Sequence, residues 1–179
     1  MLVLVMETPL QIHRAVESEI RMAFRSVTLG RGTSLRQAQL ADGFQDIVRN
    51  AHSASPADGE ITDDWSRVPL DELERDCIAH LDALGFRYYI PALMLSVLNH
   101  YESSSMRVIG TLDGLYPKKD YWEYYMYRYS HLNPMQKTAI ARFLAALPKL
   151  VELDFEHQKT VPRALRNYWG EYLQTNASE

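Results

Sequence analysis

The chain of 179 residues contains a single cysteine, Cys77, and therefore cannot form a disulfide within itself. A lone cysteine fits a reducing compartment, so we expect a cytoplasmic protein. Long apolar runs are also lacking. The run at residues 1–6 and the run from Ile90 to Leu98 are both far shorter than the roughly 20 residues that span a bilayer. We expect neither a membrane-spanning segment nor a secretory signal.

Basic charge is scarce as well. The chain has 19 Lys and Arg residues against 23 Asp and Glu residues, which gives a formal net charge of −4. Proteins that bind nucleic acid normally present a basic face that displaces counterions from phosphates. The charge balance therefore argues against a nucleic-acid partner. The 46% of hydrophobic residues and 23% of charged residues are typical of a globular protein that buries its own core.

Apolar residues recur at helical spacing through most of the chain, which predicts an all-α fold. We expect an irregular helical bundle of about six helices that forms a single domain over residues 1–173. Small, polar and helix-breaking residues predict an internal loop at 52–64, and residues 174–179 are predicted to be a disordered tail. Early helices are predicted at 9–26, 35–41 and 44–51.

The passage from Trp65 to Tyr101 predicts a helix, a sharp turn and a second helix. Pro69 should begin the first helix and Gly85 should end it, because a left-handed C-cap costs glycine little. Phe86 to Tyr89 are expected to lock the corner. Pro91 should then begin the most buried helix of the fold.

The second half of the chain shows further start and stop signals. Residues 103–120 contain Ser, Gly, Asp and Pro and predict a loop with at most a turn of helix. Asn133-Pro134 is a cap-and-proline helix start, and Pro148 should kink or split the helix that follows. Thr160 with Pro162 predicts the start of a last helix.

Six of the eleven tyrosines fall in one short segment. Helical spacing would put Tyr121, Tyr125 and Tyr129 on one side, and strand spacing would group Tyr125, Tyr127 and Tyr129 instead. Aromatic side chains make good contact surfaces, so these residues with Trp122 are candidates for binding a protein partner. The alternatives are a helix packed between others, which we weigh more heavily, and stacking of single-stranded nucleic acid.

Eight acidic residues lie between Asp58 and Asp76, against two arginines. Most surround a predicted helix start, where negative charge suits the helix dipole. The functional alternative is an acidic docking face, which includes Asp63 and Asp64, for a basic partner. From the sequence it is the better of the two interaction surfaces, but the helix-start explanation of the acidic run carries more weight.

A second class of function is a ligand-binding protein or enzyme with a pocket between helices. Its polar groups would be Arg87, Tyr88, His100 and Tyr101, joined by Asp64. The loop from Thr28 to Ser34 could bind an anion through its backbone, but it lacks the lysine and spacing of a phosphate loop.

No catalytic residue, cofactor or metal site is predicted. Cys77 lies on an apolar helical stripe, and Ser96 lies in an apolar helix without the motif of a nucleophile elbow. His13 and Glu17 form one pair at helical spacing, and Asp154 and His157 form another. Each has too few ligands for zinc, which needs three or four.

One group of residues forms a recognisable pattern: Trp65, Pro69-Leu70, Leu73, Leu81, Gly85-Phe86-Arg87-Tyr88-Tyr89-Ile90-Pro91-Ala92, Asn133, Gln136, Ile140, Phe143 and Leu144. This pattern resembles a bacterial domain-of-unknown-function family. The resemblance is strongest over 65–95 and implies a small bacterial cytoplasmic protein with no known activity. From the tyrosine-rich segment and the acidic face we expect a non-catalytic protein-interaction module with an unknown protein partner. The adaptor or immunity type is an analogy with small acidic bacterial proteins of this kind.

Overall fold

The computed structural model describes residues 7–43, 59–75 and 77–174. These residues form eight α-helices and no strand, which confirms the all-α prediction. The predicted helix at 44–51, most of the loop at 52–64 and all but the first residue of the tail lie outside the described residues. The helices are α1 (Pro9–Ala23), α2 (Leu35–Gly43), α3 (Leu70–Leu73), α4 (Ala83–Asn99), α5 (Met106–Gly114), α6 (Trp122–Tyr129), α7 (Pro134–Leu150) and α8 (Phe155–Asn167).

Short 3₁₀ turns lie between the α-helices, at Trp65–Arg67, Ile78–His80, Lys119–Tyr121 and Trp169–Leu173. Helix α4 is the central element, and all but a few of its side chains are buried. It packs against α1, α5, α6 and the turn at Trp65–Arg67. Within the described ranges, no helix is long and apolar enough to cross a membrane.

Two helix starts follow directly from local sequence. Thr8 caps α1 through its hydroxyl, which accepts the Gln11 amide at 3.3 Å, while the Gln11 side chain accepts the Thr8 amide at 2.8 Å. Asn133 and Gln136 form the same reciprocal pair at the start of α7, with the Gln136 amide 2.9 Å from Asn133 Oδ1. These capping boxes satisfy backbone donors that the first turn leaves free. Both predicted starts are confirmed.

The predicted corner at Gly85 is wrong, because α4 already begins at Ala83 and runs through Pro91 to Asn99. Asp82 is its N-cap, and its Oδ1 accepts the Gly85 amide at 2.7 Å. The same oxygen accepts the Thr33 amide at 3.0 Å, so the carboxylate ties the loop before α2 to the first turn of α4. Gly85 thus opens a helix and does not end one.

The small size of Gly85 is required by a close backbone approach. A Cβ on Gly85 would lie 2.3 Å from the Thr33 carbonyl oxygen, and a Cβ on Gly32 would lie 2.6 Å from the Gly85 nitrogen. Neither glycine has a left-handed backbone. The two glycines therefore let the loop and α4 touch, which is a different role from a helix cap.

Three further boundaries differ from the predictions. Residues 103–120 contain the helix α5, whose Val108 and Leu112 are buried. Helix α8 begins at Phe155, well before Thr160, because Asp154 caps it by accepting the His157 amide at 2.8 Å. Pro148 neither splits nor ends α7, since it lies in the last turn of that helix.

Candidate functional site

The tyrosine-rich segment is helical, and its side chains divide between core and surface. Tyr125 and Tyr129 are buried, together with Arg128, on the inner face of α6. Tyr129 packs against Trp169 and Phe86, with ring centroids 4.7 Å and 5.7 Å apart. The predicted shared face of Tyr121, Tyr125 and Tyr129 is thus corrected: two of the three are core residues. Tyr121 precedes α6 in a 3₁₀ turn, so the α-helical phase does not apply to it.

The buried aromatic side chains bind the carboxyl end of α5. The Tyr129 hydroxyl donates to the Gly114 carbonyl at 2.7 Å, and the Tyr125 hydroxyl donates to the Asp113 carbonyl at 3.3 Å. Trp169 Nε1 donates to the Leu115 carbonyl at 2.7 Å. The last carbonyls of a helix have no partner within it, so Tyr129 and Trp169 satisfy carbonyls that would otherwise be buried unpaired. The Asp113 carbonyl also accepts the Tyr116 amide at 3.2 Å. Burial raises the pKa of Tyr129 well above its ordinary value, which keeps its hydroxyl a donor.

The outer side of the same segment carries four exposed aromatic side chains, which we call the aromatic surface. The exposed fractions are 64% for Tyr121, 39% for Trp122, 41% for Tyr124 and 62% for Tyr127. The Tyr124 hydroxyl donates to the Ala79 carbonyl. The hydroxyls of Tyr121 and Tyr127 form no hydrogen bond with any described residue. Two of the predicted partner-binding residues, Tyr121 and Trp122, therefore lie on a surface, and Tyr124 and Tyr127 join them.

Beside the aromatic surface lies a cavity of about 260 Å³, which we call the Arg128 cavity. Arg128 is only 2% exposed and lies between two aromatic rings, 4.9 Å from the Phe86 centroid and 5.0 Å from the Tyr124 centroid. Its Nη2 donates to the Ile78 carbonyl, and its Nε is buried with no hydrogen-bond partner among the described residues. The cavity is lined by Ile78, Ala79, Ile109, Gly110, Asp113, Gly114, Lys118, Tyr124, Tyr125 and Arg128.

No carboxylate lies within ion-pair distance of Arg128 in the described part of the chain. The other buried arginine, Arg107, differs in this respect, because it forms an ion pair with Glu74 and donates to the His100 carbonyl at 2.7 Å. Burial lowers the pKa of Arg128, since desolvation penalises the charged form. Arg128 is not among the site residues that the sequence predicts. Its position three residues after Tyr125 and one before Tyr129 was the available signal that it lies on the inner face.

Much of the acidic run is paired within the fold. Glu72 Oε1 lies 2.6 Å from Arg36 Nη2, and Glu72 Oε2 lies 2.7 Å from Arg75 Nε. These hydrogen bonds, led by that of Arg75, lower the pKa of Glu72 to about 2. Asp64 caps the turn at Trp65 by accepting the Ser66 amide at 3.0 Å, whereas Asp63 is exposed. The acidic docking face is thus smaller than the sequence predicts.

The polar groups of the predicted pocket do not converge. Tyr88 is buried and donates to the Ile61 carbonyl at 2.7 Å. Tyr101 lies 2.9 Å from His157 Nδ1 and accepts the Asp154 amide at 3.0 Å. His100 lines a groove of about 170 Å³ beside Trp65, which neither tyrosine lines. Arg87 is half-buried on α4.

The candidate nucleophiles have structural contacts. Cys77 Sγ lies 3.1 Å from the Leu35 carbonyl oxygen, and Ser96 Oγ donates to the Leu93 carbonyl at 2.8 Å. The loop that could bind an anion already binds one, because the Thr33 amide donates to Asp82. Across the described ranges, no three or more His, Cys, Asp and Glu side chains are grouped so that they could hold a metal ion.

Comparison with known proteins gives one match. The model of a family of unknown function, DUF6714, matches residues 13–173. No curated protein matches the chain, and no solved structure does. The match covers most of the chain, including the helices from α2 to α8, the aromatic surface and the Arg128 cavity. The chain therefore belongs to the family of unknown function DUF6714.

Proposed function

We propose that the protein is a non-catalytic protein-interaction module, of adaptor or immunity type, and that its partner binds the aromatic surface. The observation that carries the proposal is the exposure of Tyr121 and Tyr127, whose hydroxyls bond no described residue. A tyrosine offers a large apolar ring with a polar tip and loses little conformational entropy on binding. Such residues are enriched in protein interfaces and at their energetic hot spots.

The aromatic surface is favoured over the acidic face as the docking site. Glu72 and Glu74 are bonded to arginines of the same chain, so their charge is not free to attract a basic partner. The second class of function, a ligand-binding protein or enzyme near Arg87, Tyr88 and His100, has less support because these side chains lie apart.

The cytoplasm of a bacterium is the compartment that we propose. The single cysteine fits a reducing environment, and its thiol lies buried against a backbone carbonyl where it needs no disulfide partner. The sequence resemblance to a bacterial family supports the same source.

The proposal can be tested by site-directed crosslinking. A photoreactive phenylalanine analogue at position 127 should crosslink a specific protein in cells, and the partner should then be purified. With the purified partner, the double variant Tyr121→Ala/Tyr127→Ala should bind at least about tenfold more weakly, which corresponds to about 1.4 kcal/mol. Because neither hydroxyl has a partner in the described structure, the double variant should keep the stability of the wild type within about 0.5 kcal/mol.

Phe155→Ala is the matched control, since Phe155 is an exposed aromatic residue on α8, outside the aromatic surface. It should leave partner affinity unchanged. Equal loss of affinity in the control and in the double variant would contradict a specific aromatic surface. A crosslink only to a second copy of the chain would assign the surface to self-association instead.

A further inference from the structure

The Arg128 cavity has the features of a binding site for an anion. A buried charge is costly unless it is paired, and the guanidinium of Arg128 has only the Ile78 carbonyl and two aromatic faces as partners in the described structure. The carboxyl end of α5, near Gly114, carries a partial negative charge that balances only part of the guanidinium charge. A full negative charge in the cavity would complete the pairing.

The Nη1 edge of the Arg128 guanidinium is the part that is available to a ligand. The rings of Phe86 and Tyr124 contact the guanidinium, and Nη2 binds the Ile78 carbonyl. Nη1 lies beside Gly114, where a Cβ would be 3.7 Å from it, and both residues line the cavity. A planar oxyanion suits this edge because carboxylates and guanidinium groups pair within one plane.

The charge around the cavity selects a monoanion. Arg128 and Lys118 are positive, and Asp113 is negative, with its Oδ1 3.7 Å from Lys118 Nζ. The two positive groups and the one negative group leave a single positive charge to be balanced. A phosphate dianion would exceed that charge, and phosphate sites normally supply several charged or backbone donors.

The remaining walls suit a short apolar body. Ile78, Ala79 and Ile109 provide apolar surface. Gly114 leaves space for the ligand, since even a Cβ there would meet no atom closer than 3.6 Å. The volume of about 260 Å³ is just below the roughly 300–1,000 Å³ of pockets that hold drug-sized ligands. Exposed Asp113 and Tyr124 line the outer part, so a ligand can enter from solvent.

We propose that the Arg128 cavity binds a small organic carboxylate, which accepts hydrogen bonds from Arg128 Nη1 and places its apolar end against Ile78 and Ile109. Lys118 at the mouth adds attraction for the negative charge. This site is independent of the protein partner proposed above, although Tyr124 contributes to both.

Propionate is a suitable probe because it carries one carboxylate and a short apolar chain. In titrations of the ¹⁵N-labelled full chain at constant ionic strength, propionate should shift the amide signals of Gly110 and Gly114 saturably. The neutral isostere propionamide should not, and inorganic phosphate should bind at least about tenfold more weakly. Equal shifts with propionamide would show a merely apolar cavity, and phosphate binding as tight as propionate would overturn the carboxylate assignment.

Gly114→Ala is the sharpest variant, because it places a methyl group beside Nη1 without disturbing the fold. The new Cβ would meet Phe86 at 3.6 Å, Arg128 Nη1 at 3.7 Å and Ile78 at 3.9 Å, which are ordinary contact distances. We expect propionate affinity to fall at least about tenfold while thermal stability is kept. Wild-type affinity in this variant would exclude a ligand at Nη1.

Two neighbouring lysines provide a matched pair of charge variants. Lys118→Gln should weaken propionate binding about two- to fivefold, because its charge lies at the mouth of the cavity. Lys119→Gln removes the same charge one residue away and should have no effect, since Lys119 does not line the cavity. Equal losses would show a general effect of surface charge and would refute the site. Tyr121→Ala/Tyr127→Ala should bind propionate like the wild type, which separates this site from the aromatic surface.

Discussion

The contact between Gly32 and Gly85 makes Gly85→Ala the substitution with the clearest expected effect on stability. The added Cβ would lie 2.3 Å from the Thr33 carbonyl oxygen. Carbon and oxygen atoms in contact normally lie about 3.3–3.6 Å apart. A backbone oxygen cannot rotate away as a side chain would, so the loop before α2 must move outward by about 1 Å.

That movement has a calculable cost. It pulls the Thr33 amide away from Asp82 Oδ1, now at 3.0 Å, and a hydrogen bond to a charged group contributes about 1.5–3 kcal/mol. Overpacking of the contact adds about 1–3 kcal/mol. Replacing glycine by alanine within a helix returns up to about 1 kcal/mol. The free energy of unfolding should therefore fall by about 1.5–6 kcal/mol.

Urea denaturation followed by tryptophan fluorescence measures this change, because Trp65 and Trp169 are buried. Gly114→Ala is the control, since its Cβ meets no atom closer than 3.6 Å, and its stability should not fall by more than about 0.5 kcal/mol. Gly32→Ala opens the same contact, so the double variant should lose clearly less than the sum of the two single losses. A loss below about 0.5 kcal/mol for Gly85→Ala, or full additivity with Gly32→Ala, would refute the close backbone contact.

Two other substitutions test the hydrogen bond of Tyr129 to the end of α5 and the ion pairs of Glu72. Tyr129→Phe leaves the buried Gly114 carbonyl without its donor and should lower the free energy of unfolding by about 1–3 kcal/mol. The control Tyr121→Phe should change the free energy of unfolding little. Equal effects of the two variants would contradict the hydrogen bond of Tyr129 to the end of α5. Glu72 has a pKa of about 2 in the fold against an ordinary 4.5, so its contribution to stability is complete above about pH 4.5 and is lost as the pH falls toward 2. Because Arg36 is partly exposed, solvent screening limits that contribution to about 1–2 kcal/mol. Urea melts should therefore show wild type more stable than Glu72→Gln above about pH 4.5, and the difference in the free energy of unfolding should disappear as the pH falls toward 2. A difference that stayed constant from pH 6 to pH 2.5 would show that the Glu72 charge does not stabilise the fold.

The helix starts that depend on adjacent residues were predictable from the sequence. Thr8 with Gln11 and Asn133 with Gln136 cap their helices within a few residues, so the signal and its effect lie together in the chain. Gly85 shows the opposite case. Its position is fixed by Gly32 and Thr33, which are distant in sequence, and a glycine before an aromatic strip also matches the local pattern of a helix end.

The prolines illustrate the same limit. Pro91 lies within α4, where burial on nearly every face outweighs the lost backbone hydrogen bond. Pro162 lies within α8 on an exposed position, where water can satisfy the carbonyl that the proline leaves free. The local sequence predicts how much a proline destabilises a helix, but the tertiary contacts of the helix decide whether it still forms.

The candidate site was predictable only in part. The aromatic composition of the segment at 121–129 indicated a contact surface, and helical spacing correctly put Tyr125 and Tyr129 on one face. Which face turns inward depends on the carbonyls at the end of α5, in a segment predicted to be loop. The Arg128 cavity could not be predicted for the same reason, because α5 forms one of its walls.

The division of the tyrosines narrows the functional question to two residues. Tyr125 and Tyr129 are explained by the carbonyls that they bind at the end of α5. Tyr124 is explained by its bond to the Ala79 carbonyl and by its contact with Arg128. The side chains of Tyr121 and Tyr127 bond no described backbone group and expose more than half of their surface. Folding alone does not require tyrosine at these two positions, because a polar side chain would be equally soluble there and would expose less apolar area. Folding accounts for three of these five tyrosines, so the case for a partner that binds the aromatic surface rests on Tyr121 and Tyr127.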